Sequence, residues 1–84
     1  MSLANALYAL LELAEGRAPD PGIVSVGLYS LDVYLLHANA DQLVKEASAT
    51  LELYLVTGMV SLFADARARI AAMAAAVQRL MPSA

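Results

Sequence analysis

Hydrophobic and polar positions change period several times along this chain. In Thr50–Val56, Leu51, Leu53 and Leu55 share one side, and Thr50, Glu52, Tyr54 and Val56 share the other. That alternation is the period-2 pattern of a half-buried strand. Thr57-Gly58 follows, then the apolar run Met59–Ala64. So short a connection predicts an antiparallel hairpin, with Gly58 supplying positive φ. Ile23–Leu31 also alternates, with Val24, Val26 and Leu28 set against Ser25, Gly27 and Tyr29, and predicts a further strand. Between these strands, Val33, Leu36, Ala40, Leu43, Val44 and Ala47 recur at helical spacing up to Ser48. Asp32 is placed to cap that helix. Asp65 is placed to cap a last helix over 66–81, with Ile70, Met73, Ala74, Val77 and Leu80 as its inner stripe and Pro82 as its stop. Gly16–Gly22 contains two prolines and two glycines and reads as a loop. Ser2–Glu15 reads either as one helix or as a short strand followed by a helical turn.

The element order is therefore an N-terminal segment followed by β-α-β-β-α. This is the core of a ferredoxin-like α+β sandwich, with two helices on one face of an antiparallel sheet. The usual pattern has one more strand. Either that strand is missing, or the segment around Leu3–Leu10 supplies it.

Composition adds a constraint. The 84 residues make one domain, 61% hydrophobic and 15% charged, against averages of about 45–50% and about 25%. A chain this short buries only roughly 60–65% of its unfolded surface. The excess apolar surface points to a homo-oligomer. A membrane span is disfavoured, because Asp32, Asn39, Asp41, Lys45 and Glu46 interrupt every window of the required length. The amino terminus lacks a signal peptide's basic region. The net charge of −3, with five basic residues, argues against nucleic acid.

Little in the chain suggests catalysis, and no enzyme activity, cofactor or metal is expected. There is no cysteine and one histidine, His37, so no disulfide, thiolate metal site or His pair can form within a subunit. His37 reads as structural or solvated. Asp32, Asp41, Glu46 and Asp65 read as caps and solvated helix faces. Asp41 and Lys45, four apart, form an ordinary surface pair. Gly27 marks close packing or a bulge.

Several stretches resemble the shell proteins of bacterial microcompartments. Ala40–Leu53 (ADQLVKEASATLEL) is similar to that family's helix end and following strand. Val26-Gly27-Leu28 sits where its first strand has a similar triplet, and Met59–Met73 resembles its third strand and second helix. The Pro19–Gly22 loop and the early chain end resemble the circularly permuted branch, in which the last strand has moved to the front. The resemblance covers residues 19–80. It implies a single domain over 1–84, with residues 1–18 as the permuted element and 23–81 as the core. The implied function is that of a structural subunit forming hexameric tiles with other shell proteins, in the cytoplasm of a bacterium. It places Val56, Thr57 and Gly58 at a metabolite pore on the six-fold axis. It places Lys45 at the hexamer edge, against its counterpart in the next hexamer. Without the resemblance, Lys45 is a solvated lysine and 56–58 are a tight turn.

Two rival functions fit the residues. One is a small-molecule-binding regulatory domain of the ACT type, which shares the βαββα core and favours dimers. The other is a helical adaptor or secretion chaperone, which requires Thr50–Ala64 to be helical.

Overall fold

The computed structural model describes residues 2–37 and 39–82, and among them every regular element is helical. Helix α1 is Ser2–Ala14, α2 is Pro21–His37, α3 is Gln42–Thr57 and α4 is Arg67–Leu80, with a 3-10 segment at Val60–Ala66 before α4. The expected α+β sandwich and the microcompartment shell fold are both overturned, because the described residues contain no strand or sheet. The N-terminal segment takes the helical one of its two readings.

The strand reading of Thr50–Val56 fails for a definable reason. Those residues also continue a helical stripe. Val44, Ala47, Ser48, Leu51 and Tyr54 are all buried on one side of α3, at the three- and four-residue steps of a helix face. No glycine or proline interrupts Gln42–Thr57, so a helix begun at Gln42 has nothing to end it before Gly58. Gly58 does adopt positive φ, at 65°, but as the C-cap of α3, and its N–H donates to the Tyr54 carbonyl at 2.7 Å. Ile23–Leu31 holds only two polar residues, Ser25 and Ser30, too few to fix a period, and length decides for a helix. Met59–Ala64, read as the partner strand, is mostly 3-10 instead.

The helix ends correct several expected caps. Asp32 lies in the middle of α2 rather than at a helix start. The cap of α2 is Asp20, whose Oδ1 accepts from the N–H of Gly22 at 2.8 Å and of Ile23 at 3.3 Å, with Pro21 at the first helical position. Asp41 caps α3 and accepts from the Leu43 N–H at 2.9 Å. Asp65 falls inside the 3-10 segment, and α4 starts at Arg67 with Ala66 at its N-cap and no side-chain cap. Helix α1 closes on Gly16, at φ 79°. There Arg17 N donates to Glu12 O and Gly16 N to Leu13 O, the paired bonds of a Schellman ending. Arg17 also grips the Glu12 carboxylate through Nε at 2.6 Å and Nη2 at 3.0 Å. Those hydrogen bonds hold the Glu12 carboxyl below its ordinary range, and hydrogen bonds to Glu12 and Glu15 raise Arg17.

Helix α1 packs chiefly against α2 and α4, while α3 touches the same two helices from the opposite corner. Ala6, Ala9, Leu10 and Leu13 of α1 are fully buried and meet Val24, Leu31, Val44, Leu51, Ile70 and Val77 in one core. The closest approach is between α1 and α2. A Cβ on Gly27 would stand 2.5 Å from the Ala6 nitrogen and 2.7 Å from its Cα. Only a residue without a side chain fits against that backbone. Polar ties fix the remaining elements. The buried Tyr54 hydroxyl donates to the Pro19 carbonyl at 2.8 Å, joining α3 to the α1–α2 loop. The Tyr54 ring also meets Phe63 of the 3-10 segment at a centroid distance of 6.5 Å. Ser48 Oγ donates to Asp32 Oδ1 at 2.6 Å between α3 and α2. Glu46 and Arg69 pair across α3 and α4.

Gly27→Ala tests the crossing. Alanine has the higher helix propensity by about 0.8–1.0 kcal/mol, yet its methyl meets backbone that cannot rotate away. Overpacking of this kind costs about 1–3 kcal/mol, so the variant is expected to unfold at lower urea concentration than the wild type. Equal or greater stability would mean that the two helices separate freely.

Tyr54→Phe tests the tie to Pro19. It keeps the ring against Phe63 but leaves the Pro19 carbonyl without its donor, an omission worth about 1–3 kcal/mol. Thermal and urea unfolding should both register the loss.

Candidate interaction surface

The exposed face of α2 carries the most unusual chemistry on the molecule. This helix of 17 residues contains one carboxylate, Asp32, and no lysine or arginine. A helix apolar all round belongs in an interior, but α2 sits at a corner of a small bundle and can bury only one side. Val24, Gly27 and Leu31 face inward. Val26, Tyr29, Val33 and Leu36 face outward, at 46%, 71%, 37% and 80% exposure. Their spacing of three, four and three residues makes them a single stripe along the helix. Asp32 flanks the stripe, and its carboxylate is engaged by Ser48 of α3.

A second apolar area lies at the end of α3. Leu53 and Val56 on the helix, and Met59 and Leu62 just beyond it, are half or more exposed, with Leu53 slightly less so. On α1, Tyr8 and Leu11 are also about half exposed, whereas the surface of α4 is different in kind. The outward residues of α4 include Arg67, Arg69, Gln78 and Arg79 among alanines. A shallow depression of about 350 Å³ between α1 and the end of α4 is lined by Leu7, Gln78, Met81 and Pro82 and has no titratable group in its lining. Among the described residues, no three or more of His, Cys, Asp and Glu come together.

The residues singled out in the sequence are scattered by the fold. Lys45 is exposed in the first turns of α3, with its backbone N–H bonded to the Asp41 carbonyl at 3.2 Å. It makes no ion pair among the described residues. Asp41 instead approaches Arg79 of α4, at 3.7 Å. Val56 is exposed on the last turn of α3. Thr57 Oγ1 donates to the Leu53 carbonyl at 2.9 Å and accepts from the Met59 N–H at 3.2 Å, and Gly58 is the cap. These three therefore form a helix end rather than a hairpin turn. The pore and edge roles came with the shell resemblance, and the helical fold removes their basis. The His37 side chain lies outside the described residues.

The alternation of a strand hides the α2 stripe, because it puts Val26 on one face with Val24 and Leu28, and Tyr29 on the other. The available signal was a helix-length segment, Pro21–His37, with two apolar stripes and one charge. Among the described residues, no helix is long and apolar enough to cross a membrane. No protein-family model, curated protein or solved structure matches the chain.

With its edge role gone, Lys45 is a solvated side chain. Lys45→Ala should change stability by less than about 0.5 kcal/mol in urea unfolding and leave the oligomeric state as it was. A larger loss would show that the lysine stem covers core.

Proposed function

We propose that this chain is a helical adaptor, a small interaction module that acts by associating with polypeptide partners, beginning with copies of itself. The observation that carries the reading is the set of large apolar side chains left in solvent, led by Tyr29, Leu36 and Val56 at 71%, 80% and 80% exposure. Single exposed apolar residues are ordinary, but an unbroken stripe of them marks a docking surface. Two of the three functions weighed from the sequence, the shell tile and the ACT-type domain, require a sheet. The adaptor required Thr50–Ala64 to be helical, and those residues form the end of α3 and most of the 3-10 segment, around the cap at Gly58. Self-association remains the reading of the hydrophobic excess, while the six-fold arrangement was tied to the shell fold and goes with it.

Native mass spectrometry across the micromolar range tests this reading. The expected result is an oligomer that dissociates on dilution. Leu36→Lys on the solvent side of α2 should shift the population toward monomer, with the helical circular-dichroism spectrum unchanged. A wild-type chain that stays monomeric throughout that range would overturn self-association.

A further inference from the structure

We infer that the outer stripe of α2 is a two-fold seam, on which a second copy of the chain lays its own α2 antiparallel. The inference rests on the adaptor reading and specifies its first partner. Its basis is the order of residues in the stripe. The steps from Val26 to Tyr29, Val33 and Leu36 are three, four and three, so the stripe reads the same in both directions. Its midpoint falls at the level of Leu31, on the side of the helix opposite that buried leucine. Rotation about a two-fold at this level brings Val26 opposite Leu36 of the second copy, and Tyr29 opposite its Val33.

Each facing pair then joins one valine with one larger side chain. Alternation of large and small residues across a helix interface is what lets two surfaces interdigitate. A parallel arrangement would put tyrosine on tyrosine and valine on valine, which mismatches the sizes at every level. The antiparallel arrangement also sets the two helix dipoles head to tail. A stripe with steps of three and four is suited to a crossing angle of about 20° and an interaxial distance of about 8–10 Å.

The stripe itself has no ionised group. The two-fold brings the flanking Asp32 carboxylates onto the same side of the pair, one residue either side of the axis, and this like-charge approach is an electrostatic cost of the seam; each carboxylate accepts from Ser48 of its own α3. A standard interface takes about one tenth of a small protein's surface. One tenth of 4838 Å² is about 480 Å² a side, or about 960 Å² for the pair, just under the roughly 1,000 Å² of a stable interface, which suits a dimer that dissociates on dilution.

The chain has no cysteine of its own, which permits a clean test. Val26→Cys and Leu36→Cys are made separately, and each is oxidised alone and in an equimolar mixture. Facing positions lie side by side, whereas residue 26 and its own copy are separated by ten residues, about 15 Å along the axis. The expected result is a covalent dimer in the mixture, found only as the heterodimer, with little from either variant alone. A short bismaleimide replaces oxidation if the sulfurs miss disulfide geometry.

Cross-linking of Val26→Cys alone would establish a parallel pair and overturn the antiparallel seam. If the wild type is oligomeric by native mass spectrometry but the mixture does not cross-link, another surface carries the association; the seam fails and the adaptor reading stands. A wild type that is monomeric removes both. Circular dichroism of the variants excludes loss of fold as the cause of a negative result.

Discussion

The approach of α1 to α2 at Ala6 and Gly27 governs this bundle. Helix α2 has apolar stripes on two opposite sides, so hydrophobicity alone does not decide which of them it buries. The backbone of Ala6 stands where any Cβ would collide. The glycine must face it, and that fixes the rotation of α2. Val24 and Leu31 then enter the core, and the stripe from Val26 to Leu36 is left in water. The surface that makes this chain unusual is thus set by the absence of one side chain on the opposite face of the same helix.

The alanines of α1 and α4 fit the same logic. Ala6, Ala9, Ala74 and Ala76 are buried, and small residues let helices come close at little side-chain entropy cost. A core built this way contains fewer large side chains than its hydrophobic percentage suggests. Leu10, Leu13, Leu31, Leu51 and Ile70 are its largest fully buried members. Much of the remaining apolar content is on the outside, which is where the excess noted in the composition resides. Buried polar ties compensate in part. Tyr54 to Pro19 and Ser48 to Asp32 each connect elements distant in sequence.

Part of this was legible in the sequence. The stripe Ile70–Met73–Ala74–Val77 on the last helix, the stop at Pro82, positive φ at Gly58 and close packing at Gly27 are all present as read. The fold class was not, and the reason lies in how two patterns overlap. Leu51, Leu53 and Leu55 alternate, while Val44, Ala47, Leu51 and Tyr54 recur at helical steps, so one segment satisfies both periods. The absence of any helix breaker between Gln42 and Thr57 was the deciding clue. Similarly, Asp20-Pro21 reads as loop punctuation but is a cap followed by a first-turn proline. The resemblance to shell proteins draws on Ala40–Leu53, which is helix from Gln42 onward; the strand period was assigned to its second half. The interaction stripe was hidden for the same cause, since a strand reading sends Val26 and Tyr29 to opposite faces.

The entry to α4 has a consequence for how the molecule breathes. A 3-10 run of seven residues is long for its kind, and Phe63 is its one buried residue. It passes into a helix that has no capping side chain and whose first turn carries arginines rather than acids, against the preference of the helix dipole. Cooperative units of low stability are built from such parts. The segment over residues 58–69 is thus held to the bundle chiefly by Phe63 and the Glu46–Arg69 pair. Its opening would uncover Phe63 and one face of Tyr54 while the α1–α2 pair stays intact. The α2 stripe rests on α1 and α3, which such an opening would leave in place.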